Sequence, residues 1–304
     1  MKKPKFLKNL LDAKTMINES DHGGLLIEVK GDLLKQLQST LLEMLRDVLD
    51  VCGKHDIPVF LCGGTTLGSI RHEGFIPWDD DVDIGMMRED FQRFIAAFEE
   101  ELSDRYILNA PNYSPDAITR FPKILKKDSF MDTGESKNPD HCKVFLDIFL
   151  ADRIPDQPLR RKLKGLRCNF LEYIAGQVAF VERLDDISKK LYQSGGKTGY
   201  YFRLTIGRLF SFRKAARWND RIDACVQYHG KRWSSYGLTT GSKHYFGEIF
   251  PAAAYLPVKT AVFEGMSVPV MNDVERYLTN LYGDYMQIPP PEKRQRHFVR
   301  KLEL

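Results

Sequence analysis

Asp79, Asp80, Asp81 and Asp83 place four carboxylates within five residues. On an extended backbone Asp79, Asp81 and Asp83 share one face, while Val82 and Ile84 point the other way into a core. Like charges about 6 Å apart repel by roughly 2–3 kcal/mol per pair at an effective dielectric near 20. Three on one face therefore need protonation, open exposure to water, or a cation. Trp78 ahead of the cluster and Val82 and Ile84 inside it argue against open exposure. A calcium loop is excluded, because Gly85 comes one place late and the twelfth position is Asp90 rather than Glu. Carboxylates alternating along a strand suit Mg²⁺ or Mn²⁺ held jointly with substrate phosphates.

Two further features bear on the same chemistry. The run Val144-Phe145-Leu146-Asp147-Ile148-Phe149-Leu150 is apolar except at Asp147. A lone buried carboxylate is costly unless it is paired or metal-bound. Asp147 therefore either meets a basic side chain or loop, or joins Asp81 and Asp83 as a third ligand from an adjacent strand. Upstream, a short apolar strand ends in Gly63-Gly64-Thr65 and opens a helix. Such a helix start presents unpaired N–H groups and a positive dipole end, which suit phosphate. No Gly-Lys-Ser/Thr follows, so this is not a Walker loop. A phosphate cradle one strand before alternating carboxylates points to phosphoryl or nucleotidyl transfer.

The segment Gly64 to Gly85, GTTLGSIRHEGFIPWDDDVDIG, resembles the core motif of the LicD family, which includes bacterial phosphocholine transferases and the fukutin-related proteins. The run from Val144 to Phe149 resembles that family's third-carboxylate strand. Tyr282 to Pro291, YGDYMQIPPP, with Arg294 and His297 beyond it, resembles its closing motif. The likeness covers about 60–150 and 245–298 and leaves 153–240 unmatched. It implies an α/β (α+β) fold of the nucleotidyltransferase, polymerase-β-like type: a mixed sheet flanked by helices, here with a mostly helical basic insertion. It also implies transfer of a substituted phosphate, phosphocholine or an alditol phosphate, from a CDP-linked donor such as CDP-choline. The acceptor is a hydroxyl of a glycan or lipid-linked glycan, as in lipopolysaccharide or capsule, and CMP leaves. Carried onto this chain, Asp81 and Asp83 hold Mg²⁺ or Mn²⁺ with Asp79 in support. Asp147 completes the metal site and takes the acceptor proton, while Gly64 and Thr65 meet donor phosphate.

Arg71 and Lys123 are candidates for the remaining phosphate charge, or else exposed surface cations. Trp78 either stacks on a ligand or braces the acidic loop. His297 is either a catalytic acid or a structural hydrogen-bonding group, and Asp284 and Tyr285 share that ambiguity.

The elements that must position these groups follow from periodicity. Leu34, Leu37, Leu41, Leu45, Val48, Leu49 and Cys52 recur at helical spacing and predict an amphipathic helix over roughly 30–54. Strands are expected at 59–62, 81–84, 105–109, 118–126 and 142–150. A helix starts after Gly63-Gly64, capped by Thr65 or Thr66. Phe91, Phe94, Ile95, Phe98 and Leu102 mark one face of another helix. Short strands around Phe250 and over 258–270 precede a closing helix from Asn272. That helix buries Val274, Tyr277, Leu278, Leu281 and Tyr282 and stops at Gly283. The expected division is a catalytic core over 1–152, a basic helical insertion over 153–240, and a segment over 241–304 that completes the core.

The 304 residues carry a net charge of +4, unevenly spread. Between Arg153 and Arg232 lie 18 basic and 7 acidic residues, a balance of +11, which leaves −7 on the rest. Within this stretch 199–221 reads as one helix with Arg203, Lys214, Arg217 and Arg221 on one face, and Phe202, Ile206, Leu209 and Ala216 broadly opposite. Such a helix suits peripheral contact with an anionic membrane or a lipid-linked acceptor, or else packs as a solvated helix on the core. Five cysteines without a CxxC pair read as thiols of a reducing compartment. No apolar run approaches a membrane span, and the leading residues MKKPKFLKNLLDAK make no secretory signal. These readings predict a cytoplasmic enzyme, peripheral at the inner membrane if the basic stretch docks there. A glycosyltransferase using a nucleotide sugar also needs a DxD, but not a glycine turn at a helix start upstream of it. Nucleic-acid binding is disfavoured by the acidic balance around the carboxylates and by the lack of an RRM, KH or zinc motif.

Overall fold

The computed structural model describes residues 27–186, 189, 197–291, 294, 297 and 299–304. The leading segment read above for a secretory signal lies outside them. The first helix, α1 (Gly31–Lys54), buries Leu34, Leu37, Leu41, Leu45, Val48 and Cys52 as the periodicity predicts, with Met44 and Val51 added to that face. It packs on the sheet that carries the acidic residues.

Five strands build that sheet: β1 (Val59–Leu61), β2 (Asp83–Met87), β3 (Tyr106–Asn109), β4 (Lys123–Lys126) and β6 (Phe145–Pro155). Their order is β1-β2-β6-β4-β3, with β2 and β6 parallel and the other pairs antiparallel. Helix α2 (Gly63–His72) follows β1, and α3 (Phe91–Glu101) follows β2, burying Phe91, Phe94 and Phe98. A further strand, β5 (Phe130–Asp132), pairs with the last strand of the chain, β11 (Lys301–Glu303). The architecture is a mixed α/β sheet flanked by helices.

Strand β6 is longer than its apolar run predicts. Its second half, Asp152–Pro155, leaves the central sheet and pairs with β7 (Trp233–Gly237), which pairs in turn with β8 (Ile249–Pro251). Between β6 and β7 lie α4 (Pro158–Arg183), α5 (Lys197–Phe210) and α6 (Ala215–Val226). Ile154, Cys168, Ile174, Val178, Trp218, Ile222 and Val226 give this helical part a core of its own.

The single helix expected over 199–221 is absent. The chain breaks between α5 and α6, where the Ser211 hydroxyl donates to the Gly207 carbonyl and Phe210 and Phe212 each meet Trp218 edge to face. Arg203 is buried beneath Phe180, with its guanidinium 4.7 Å from the ring centre. The cationic face proposed for that helix therefore does not form.

Helix α7 (His244–Gly247) precedes β8, and after β8 come α8 (Ala252–Tyr255), the hairpin β9 (Lys259–Phe263) and β10 (Met266–Val270), and α9 (Val274–Tyr282). Asp273 rather than Asn272 caps α9, its side chain accepting from the Arg276 N–H. Tyr277 and Leu278 are buried, but Tyr282 is turned outward. All five cysteines are unlinked. No helix among the described residues is long and apolar enough to cross a membrane.

Candidate active site

Strand β2 starts at Asp83, two residues later than the alternation predicts. The Asp83 N–H goes to the Thr65 hydroxyl (2.8 Å) instead of a neighbouring strand. Only the Val82 carbonyl is already in the ladder, accepting from the Asp147 N–H (3.0 Å). Val82 and Ile84 are fully buried, so the face assignment holds even though the strand is shorter. Gln38 of α1 donates to the Asp79 carbonyl (2.9 Å) and fixes the start of the acidic segment.

The sheet register sets Asp83 directly beside Asp147 across the parallel β2–β6 pair. On the other side of Asp147, Lys123 of β4 is its register partner, and the Lys123 ammonium lies 2.7 Å from Asp147 Oδ1. Asp147 thus has the basic partner that one reading expects, and it also adjoins Asp83. Lys123 is buried, 3.5 Å above the centre of the Phe145 ring and 3.5 Å from Glu135, so it is not a surface cation.

The glycine turn closes over these acids. A Cβ on Gly63, whose φ is +51°, would sit 2.5 Å from Asp83 Oδ2, and one on Gly64 would sit 2.8 Å from Asp79 Oδ2. Only glycines let the start of α2 approach both carboxylates this closely. The Gly63 N–H donates to the Tyr277 hydroxyl (2.9 Å), and that hydroxyl also supports the buried Glu248 carboxylate. Thr65 is buried under the turn and positions Asp83 through its hydroxyl.

The cluster is electrostatically undercompensated. Burial drives Asp83 well above the ordinary carboxylate range, and Asp81, Asp147 and Asp79 push it further while Lys123 opposes them. Asp79 is driven up in the same way, by burial and then by Asp81 and Asp80. Asp147 is raised to about 6 by burial, with Lys123 holding it down. Buried carboxylates in this condition favour a proton or a cation. An all-oxygen donor set of Asp79, Asp81, Asp83 and Asp147 fits Mg²⁺ or Mn²⁺.

Asp80 was given no role by the alternation argument. Its carboxylate accepts from both the backbone N–H and the imidazole Nδ1 of His297, each at 3.0 Å, and Asp81 Oδ2 lies 3.7 Å from the same nitrogen. Among the described residues, Asp80, Asp81 and His297 form the group whose possible ligand atoms all lie within 4.8 Å of one another. It overlaps the expected ligand set only at Asp81. Trp78 is buried under the Arg294 guanidinium, 4.0 Å from its ring centre, and so braces the loop. Arg71 donates to the carbonyls of Tyr285 (2.7 Å) and Gln287 (3.3 Å), tying α2 to the segment after α9.

Glu248, Tyr277 and Gln38 are supports that sequence reasoning missed. They carry no local motif, and only the fold brings them near the cluster.

A glycine turn at a helix start here packs on alternating carboxylates and adjoins a third acid from the next strand, and the stretch that carries this arrangement is similar to the LicD family. Residues 56–150 match the family described as LicD/FKTN/FKRP, nucleotidyltransferase domain. Over 284 residues the chain is 27% identical to the lipopolysaccharide cholinephosphotransferase LicD of Haemophilus influenzae, covering 88% of this chain and 97% of that protein. Two uncharacterized proteins, from Rickettsia typhi and Rickettsia prowazekii, are each 39% identical over 64 residues, 20% of this chain.

Proposed function

We propose that the protein is a transferase of the nucleotidyltransferase fold that moves phosphocholine, or a related alditol phosphate, from a CDP-linked donor to a glycan hydroxyl at the cytoplasmic side of a membrane. The contact of Gly63 and Gly64 with Asp83 and Asp79 carries this reading, because it sets phosphate-binding N–H groups against the metal-type carboxylates. The relative from Haemophilus influenzae, matched along nearly its whole length, supports phosphocholine as the first group to try.

In this reading the donor diphosphate lies at the start of α2, where the N–H groups of Gly64 and Thr65 have no intrahelical acceptor. Asp79, Asp81, Asp83 and Asp147 would hold Mg²⁺ or Mn²⁺, which neutralises diphosphate charge and acidifies a bound hydroxyl. Lys123 occupies Asp147 Oδ1, so the acceptor's proton passes to Oδ2. The acceptor oxygen attacks the phosphorus bearing the choline, the bond to the bridging oxygen breaks, and CMP departs with that oxygen. Asp80 and His297 brace the acidic loop, and Arg71 holds the chain after α9 over the site.

The test is CMP release from CDP-choline, CDP-ribitol and CDP-glycerol with Mg²⁺ or Mn²⁺, with calorimetric binding of each donor alongside. Metal-dependent CMP release from one donor, lost in Asp83→Asn, is the expected result. If no CDP donor binds or reacts and a nucleotide sugar instead yields a nucleoside diphosphate, the enzyme is a glycosyltransferase.

A further inference from the structure

The first half of α4 carries a solvent-facing apolar stripe with no partner among the described residues. Leu159, Leu163, Leu166 and Phe170 are 70%, 60%, 55% and 58% exposed. At 100° per residue they fall within an arc of about 60°, a single narrow face. Four large apolar side chains aligned in water differ from the scattered exposed leucines of an ordinary surface.

The helix cannot roll to hide this stripe. On its opposite face Cys168 is fully buried. A Cβ on Gly165 would meet the Phe246 ring at 2.1 Å and the Tyr245 ring at 2.5 Å. Lys164 is anchored as well, donating to the carbonyls of Cys225 and Gln227 at the C-terminal end of α6.

Charge says what the stripe meets. From Gln157 to Leu171 there are five basic residues, Arg160, Arg161, Lys162, Lys164 and Arg167, and no acidic one. Lys162 flanks the stripe on one side and Arg160 and Arg167 on the other, and Arg221 of α6 lines a groove together with Leu159, Leu163, Arg160 and Arg167. An exposed apolar ridge between cationic rails is the pattern of a helix lying in the interfacial plane of an anionic bilayer. A second copy of the chain would set five cations against five, which a two-fold contact does not relieve.

We propose that the first half of α4, Leu159 to Phe170, docks the protein on an anionic lipid surface, with the leucines and Phe170 entering the headgroup boundary and the flanking cations meeting lipid phosphates. The contact lies on the helical part of the chain but not in the segment 199–221, where Arg203 is buried. It is independent of the donor used at the acidic site.

Flotation of the full chain with phosphatidylcholine vesicles, with and without a third of phosphatidylglycerol, at low and high salt, tests it. The wild type is expected to float with the anionic vesicles and to be released by high salt. The Leu163→Asp/Phe170→Asp variant should keep its circular dichroism and melting temperature yet bind at least about tenfold more weakly. Arg160→Glu/Lys162→Glu should lose the preference for anionic lipid. No binding by the wild type, or undiminished binding by the Asp variant, overturns the proposal. So does a wild-type dimer in light scattering that the Asp variant turns into a monomer, since the stripe would then be a self-association face.

Discussion

Two buried acidic clusters in this molecule follow opposite rules. Asp152 and Asp223 share Arg88, which donates Nε and Nη2 to the two oxygens of Asp152 (2.8 and 3.1 Å) and Nη1 to Asp223 (2.5 Å). Thr239 donates to Asp152, and Asn112 and Gln227 donate to the remaining oxygen of Asp223. Every carboxylate oxygen has a donor, and the cluster joins β6, α6 and the turn after β2. Burial still lifts Asp152 above the ordinary range, but Arg88 pulls against it. Around Asp83 the field of neighbouring acids adds to burial instead, against one ammonium from Lys123. A satisfied cluster holds the fold together, whereas an undercompensated one costs stability and is kept for what it binds.

The comparison can be broken most sharply by removing one acid from each. Asp83→Ala should lower CMP release on the order of 10⁴-fold, about 5 kcal/mol, while the melting temperature of the ion-free protein holds or rises. Asp152→Ala should do the reverse: about 3–4 kcal/mol of stability is lost, because Arg88 is left with Asp223 alone, and turnover persists below the new melting point. Denaturant unfolding and a CMP assay on both variants decide between the two rules.

A smaller effect comes from pH. Burial raises Glu248 to about 7, against the Lys243 N–H and the Tyr277 hydroxyl. A carboxyl raised on folding contributes stability that is present at acid pH and is lost as pH rises through the folded value. Glu248 should therefore contribute a fall in unfolding free energy of about 2–3 kcal/mol between pH 4 and pH 7, and Glu248→Gln should remove that part of the slope while leaving the part due to Asp79, Asp83 and Asp147. The smallest shift comes from metal. Mn²⁺ at ten times its Kd should stabilise the wild type by about 1.4 kcal/mol, with no gain in Asp83→Ala and a full gain in Asp152→Ala, read as thermal shifts.

The central acids were legible because each broke a local pattern: a lone Asp in an apolar strand, and carboxylates alternating with buried aliphatics. The register that sets Asp83 beside Asp147 joins those two anomalies. The late start of β2 was not legible, since it depends on a hydroxyl from Thr65, eighteen residues upstream. Nor was the break at 211–214, where no glycine or proline stands and tertiary packing of Phe210 and Phe212 on Trp218 ends the helix. The links from Glu248 through Tyr277 to Gly63 span 214 residues, beyond any periodic signal.

Mn²⁺ binding followed by electron paramagnetic resonance, with and without CDP-choline, reads out whether the acids around Asp83 hold an ion. A bound ion is expected in the wild type and in Asp152→Asn, and is expected to be lost in Asp83→Asn. A wild type that binds no Mn²⁺ even with CDP-choline present, or an Asp83→Asn variant that binds it equally well, would contradict the assignment of this cluster as the metal and donor site.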